Sequence, residues 1–181
     1  MFKRLNVKML KWKGFTLIEL LVVISIVVIL TVIIVPNFRN AEKQLALNRS
    51  AHKMVQDIRR AQEMAMSAKT FNGSVPSGGY GIHFRLSWKT YYKIYADSNN
   101  NQAYDAGDGE VETINLEKGV YIKNISPSSL SVNFKPPDPV TKITTEAGAD
   151  SAFAAITLSL EANPTKEKII TINKAGLIQG E

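Results

Sequence analysis

Asp97, Asn99, Asn101, Asp105 and Asp108 place side-chain oxygens at positions 1, 3, 5, 9 and 12 of a single short stretch. That is the spacing by which an EF-hand loop wraps alternate oxygens around a calcium ion. Two residues depart from the pattern: Gln102 stands where the sharp turn uses Gly, and Asp108 is shorter than the bidentate Glu. No helical periodicity flanks the stretch, and an Asn/Asp/Gly-rich hairpin loop that binds nothing has the same composition. Calcium, in the weak extracytoplasmic affinity class, is therefore the one candidate cofactor.

Elsewhere, reactive residues are sparse. The chain has two His, His52 and His83, and no Cys. The lack of Cys excludes a thiol nucleophile, a Cys-ligated zinc site, a disulfide scaffold and a lipid anchor on Cys. No Gly-rich phosphate loop or nucleophile elbow occurs. His52 sits among charged neighbours, and His83 in Ile82-His83-Phe84-Arg85 alternates toward a polar face, so both read as surface residues. Catalysis is not expected.

The third unusual group is Glu19, the only charge between Phe15 and Val35. Its companions in that segment are apolar apart from Thr16, Ser25 and Thr31. As a helix the segment reaches roughly 31 Å, one hydrocarbon core. Lys3, Arg4, Lys8, Lys11 and Lys13 precede it with no acid, which holds that end in the cytoplasm. Without those five residues the formal net charge of +6 falls to +1, so the basic balance belongs to the N-terminus. A secretory signal peptide also starts basic and continues apolar. This run is longer than the usual 7–15 residues, has no small-x-small exit and contains an acid. Glu19 lies roughly 6 Å along the axis from Phe15, near the interface, where the helix dipole favours an acid.

Lys13-Gly14-Phe15-Thr16-Leu17-Ile18-Glu19-Leu20 resembles the processing site of the type IV pilin and type II secretion pseudopilin superfamily. The resemblance implies that a prepilin peptidase cuts between Gly14 and Phe15 and that Phe15 is then N-methylated. It further implies that Glu19 pairs with the Phe15 amine, in the same chain or a neighbouring subunit, and so sets the register of subunit packing. Partners implied are the peptidase, other pseudopilins or pilins through the N-terminal helix, an inner-membrane assembly platform and the membrane. Looser similarity to the H-type minor pseudopilins is carried by four stretches: Gly79-Tyr80-Gly81-Ile82, the Asp-rich loop after Ala96, Asn133-Phe134-Lys135-Pro136-Pro137 and Ile172-Asn173-Lys174-Ala175-Gly176. The function this implies is a structural subunit of the type II secretion pseudopilus; a minor subunit of a type IV pilus is the alternative.

These residues need an α+β frame: a long N-terminal helix, its first half transmembrane, packed on an antiparallel β-sheet head in the pilin-like manner. The organisation is a leader over 1–14, a transmembrane helix over 15–35, an amphipathic extension over 36–70 and a β-rich head over 71–181. Pro36 is read as a kink in one helix running from about Phe15 to Ala68. Its inner face carries Ala41, Leu45, Asn48, Ala51, Val55, Ile58, Ala61, Ala65 and Ala68; Arg39, Lys43, Arg49, Lys53, Asp57 and Arg60 face away. Alternating runs predict strands over 80–86, 90–96, 111–116, 120–125, 130–134, 154–160 and 168–173. The Pro-rich stretch 135–150 is expected to be a surface loop. The head carries a net −2, which argues against nucleic acid as a partner. The expected location is the inner membrane, single-pass, with the N-terminus cytoplasmic and the head periplasmic.

Overall fold

The computed structural model describes residues 14–136, 140–145 and 148–180. The basic leader therefore lies outside the described residues except for Gly14. The chain divides into two compact units, Met1–Asn40 and Ala41–Glu181.

A single helix, α1, runs over Leu17–Met66 with Pro36 inside its span, so the proline does not end it. In the first unit the apolar side chains of α1 are exposed all round, from Leu17 at 80% to Val35 at 43%. The apolar window has a mean hydropathy of 3.3 and none of it is buried, which makes α1 long and apolar enough to cross a membrane. Ser25 and Thr31 donate their hydroxyls back to the Leu21 and Val27 carbonyls, at 2.9 and 2.7 Å. Their polar groups are thereby satisfied without water.

In the second unit α1 buries Ala46, Leu47, Ala51, Met54, Ile58, Ala61, Met64 and Ala65. This face is rotated from the expected one: Leu45 is 50% exposed, Ala41, Asn48 and Ala68 are exposed, and Ser50 and Met54 take the inner positions. Asp57 is also a correction, since it is buried rather than facing away. It accepts a 2.8 Å hydrogen bond from the Tyr92 hydroxyl and has Arg60 Nη1 at 3.8 Å. A tyrosine partner on the sheet cannot be read from helical periodicity. Ala68, in a left-handed conformation at φ 48°, closes the helix. Lys69 N–H reaches the Met64 carbonyl and Ala68 N–H the Ala65 carbonyl, both at 3.1 Å, a Schellman closure that terminates α1 two residues early.

The head contains two antiparallel sheets. One has six strands in the order β3-β2-β1-β5-β6-β7, the other four in the order β10-β9-β8-β4. The strands are β1 Gly79–Phe84, β2 Tyr91–Asp97, β3 Gly109–Asn115, β4 Val120–Ser126, β5 Leu130–Lys135, β6 Val140–Thr145, β7 Asp150–Ser151, β8 Phe153–Leu160, β9 Asn163–Asn173 and β10 Ile178–Gly180. Tyr80, Ile82, Phe84, Tyr92, Ile94, Val132 and Phe134 on the first sheet share one core with Ile122, Ile156, Leu158 and Ile170 on the second. The buried face of α1 joins that core.

The expected surface loop over 135–150 is overturned. β6 pairs in full register with β5, and Ile143 has no exposed surface. Val140-Thr-Lys-Ile-Thr-Thr145 is β-branched at five of six positions, a strand signal that the preceding prolines obscured. β1 buries all six residues; Tyr95 of β2 covers Gly81 on its second face, and Trp88 and Tyr104 cover His83. The alternation rule therefore fails for His83, which is 1% exposed rather than a surface residue. His52 is exposed, as expected.

Candidate processing and assembly site

The start of α1 is a reciprocal cap. Thr16 stands one residue before the helix, and its hydroxyl accepts the Glu19 N–H at 3.2 Å. Glu19 Oε2 in turn accepts both the Thr16 N–H and the Thr16 hydroxyl, each at 3.2 Å. This is a capping box, Thr-x-x-Glu, which satisfies two amide donors that have no partner within the helix. The Thr-x-x-Glu spacing is present in the sequence, but the apolar setting of Glu19 masks its partner Thr16. In this chain Glu19 is therefore held by its own Thr16, and the carboxylate lies one turn from Phe15, next to the positive end of the helix dipole.

Gly14 precedes the helix outside regular secondary structure, with open space among the described residues where a side chain would begin. Phe15 is 85% exposed. A peptide bond between Gly14 and Phe15 is thus unhindered on both sides, and the helix starts only two residues beyond it. Lys13 lies outside the described residues.

The candidate calcium loop is organised by its own donors. Asp97, with no exposed surface, accepts the Asn100 N–H at 2.6 Å on Oδ1 and the Gln102 N–H at 2.7 Å on Oδ2. Gly78 makes room for it, since a Cβ there would fall 1.9 Å from a carboxylate oxygen. Asp105 accepts amide donors from Asn99, at 2.8 Å, and Asn101, together with the Gly107 N–H at 2.6 Å. These bonds hold its carboxyl below the ordinary value, Asn99 contributing most. Asp108 bridges the Ser98 and Asp105 amides at 3.2 and 3.0 Å, and burial pushes its carboxyl up. Gln102 adopts the left-handed φ of 60° that the missing glycine would have supplied. Among the described residues, no group of three or more His, Cys, Asp or Glu side chains converges to hold a metal.

Residues 13–35 match the family model of the prokaryotic N-terminal methylation motif. No curated protein and no solved structure matches the chain. The methylation motif, with the long helix and the antiparallel head, supports the pilin and pseudopilin class; it implies processing by a prepilin peptidase and assembly with other pilins.

Proposed function

We propose that this protein is a structural subunit, a minor pseudopilin of a type II secretion system, matured by cleavage between Gly14 and Phe15 and N-methylation of Phe15. The observation that carries it is the methylation motif laid directly over an exposed apolar helix. Such a helix has no partner among the described residues, and lipid or the same helix of neighbouring subunits supplies one. The inner membrane holds the helix with the N-terminus cytoplasmic, since the basic leader precedes it. The head then lies in the periplasm, and an inner-membrane assembly platform receives the subunit.

Glu19 acts at the assembly step. Before maturation the Thr16 cap holds the carboxylate. Cleavage creates a positively charged amine on Phe15, and Glu19 pairs with that amine in its own or a neighbouring subunit, because an unpaired charge in the bilayer is expensive. Glu19→Val should leave membrane insertion intact while incorporation into filaments, read by cross-linking to other subunits, falls at least tenfold. Normal incorporation would contradict the pairing role. Loss of the chain should trap secreted proteins in the periplasm if the filament is a secretion pseudopilus. Loss of surface fibres with secretion intact would favour the type IV pilus minor subunit.

A further inference from the structure

The segment between β2 and β3, residues 98–108, lies as a strap across the face of the six-stranded sheet that points away from the hydrophobic core. That face carries Gly81, His83, Lys93, Tyr95, Ser131 and Asn133, which alternate with the core residues of β1, β2 and β5. The strap is tied to three strands, beginning with Asp97 of β2, which accepts the Asn100 and Gln102 amides. Tyr104 N–H donates to Ser131 Oγ at 3.1 Å, and Thr144 Oγ1 donates to the Gln102 carbonyl at 3.1 Å. The Tyr104 ring stacks on His83 with centroids 4.6 Å apart, and Trp88 meets the same imidazole edge-on at 5.3 Å.

Ser131 links the strap to the imidazole. Its Oγ accepts the Tyr104 N–H at 3.1 Å and lies 2.8 Å from His83 Nδ1, so one hydroxyl touches both the strap and the ring. The ring is 1% exposed, and burial favours the neutral imidazole. Closure has unfavourable terms as well. His83 Nε2 is buried without a hydrogen-bond partner among the described residues. Asn100 and Gln102 hold left-handed φ angles without being glycine. The strap thus covers a buried imidazole that is bonded through one ring nitrogen only among the described residues.

We propose that the strap over residues 98–108 is latched by neutral His83 and released when that imidazole takes up a proton. The added proton would charge a ring that the closed strap keeps from water. The ring's hydrogen-bond partner is a hydroxyl rather than a carboxylate. Among the described residues, the charged groups facing it are Arg85 from the turn after β1 and Lys93 from β2, with Glu110 of β3 bonded to Lys93; the phenols of Tyr104 and Tyr95 also lie close. Burial first, then these two cations, pull His83 from 6.5 down to about 4. With the strap lifted the ring meets water and the ordinary value returns. The latch is therefore fully present above about pH 6.5 and weakens as the pH falls to about 4. Across that window the ratio of latched to released strap falls with pH, because the released state binds the proton more tightly.

The test uses the full chain in detergent micelles with chelator present, carrying Trp12→Phe so that Trp88 is the sole tryptophan, and His52→Gln so that His83 is the sole imidazole. Amide exchange at Tyr104, Trp88 emission and the imidazole NMR shift are followed from pH 7.5 to 3.5. The expected result is one shared acid midpoint, with Tyr104 protection falling at least tenfold through it. His83→Phe, which fills the site without a titrating group, should keep Tyr104 protected across the range. If that variant fails to fold, separate midpoints for the imidazole and the Tyr104 amide in the His83 protein would overturn the proposal. Equal loss of protection in a folded His83→Phe would also overturn it, by assigning the transition to Asp105 and Asp108.

Discussion

The two halves of α1 are built from similar residue types and solve opposite problems. Between Leu17 and Val35 the helix exposes Leu, Ile and Val on every side, and its few polar groups are turned back onto its own backbone or cap. Between Ala46 and Ala65 one face is buried to a few per cent, and even the buried Asp57 has a tyrosine donor. The first half finds its partner outside the chain and the second finds it within. Stability of the head should therefore be insensitive to changes in the first half, and assembly should depend on them.

The largest contrast comes from matched truncations. Ile58, with no exposed surface, packs in the shared core, so Ile58→Ala should lower head stability by about 2–5 kcal/mol. Ile29 is 61% exposed, and Ile29→Ala should leave the same melting transition unmoved. Thermal melts of both variants in detergent check this. A comparable loss from Ile29→Ala would mean that the first half contributes to the folding of the head.

A smaller effect separates the Asp97 loop from a metal site. Asp97 holds two backbone amides from a fully buried position, so Asp97→Ala should destabilise the calcium-free protein by about 1–3 kcal/mol. Melts in chelator and in millimolar calcium show whether an ion adds to this. A calcium-dependent rise in the wild type that Asp97→Ala abolishes would restore the cation role, since a ligand bound only to the folded state must raise its stability. Identical wild-type curves would leave the loop as a polar turn.

The smallest effect lies at the helix start. Thr16→Ala removes the cap and should weaken the first turn by about 1 kcal/mol, seen as faster amide exchange at Glu19 with the head unaffected. Unchanged exchange at Glu19 would show that the cap contributes nothing in the membrane.

Much of this contrast was legible in the sequence. The apolar run, the basic residues before it and the Gly14–Glu19 motif are contiguous, so composition and spacing identify them without a fold. What stayed hidden depends on contacts between distant residues. His83 obeys a strand's alternation, and distant or turn residues, Tyr104 and Trp88, bury it. Asp57 belongs to a charged helical stripe until Tyr92 of β2 reaches it. β6 was obscured by local chemistry, because the prolines before Val140 mark a turn and draw attention from the β-branched run after it. The Thr16–Glu19 cap was the opposite case, a local spacing visible from the start that the transmembrane setting overshadowed.

The central claim is that the segment over residues 13–35 is a substrate for maturation and then an assembly helix. Intact-mass and peptide mass spectrometry of the protein extracted from its native membranes tests it most directly. The account predicts a chain lacking residues 1–14, with one methyl group on the Phe15 amine, and an uncut precursor when Gly14 is replaced by a bulky charged residue, Gly14→Arg. A chain that retains Met1 in cells with an active prepilin peptidase would contradict it.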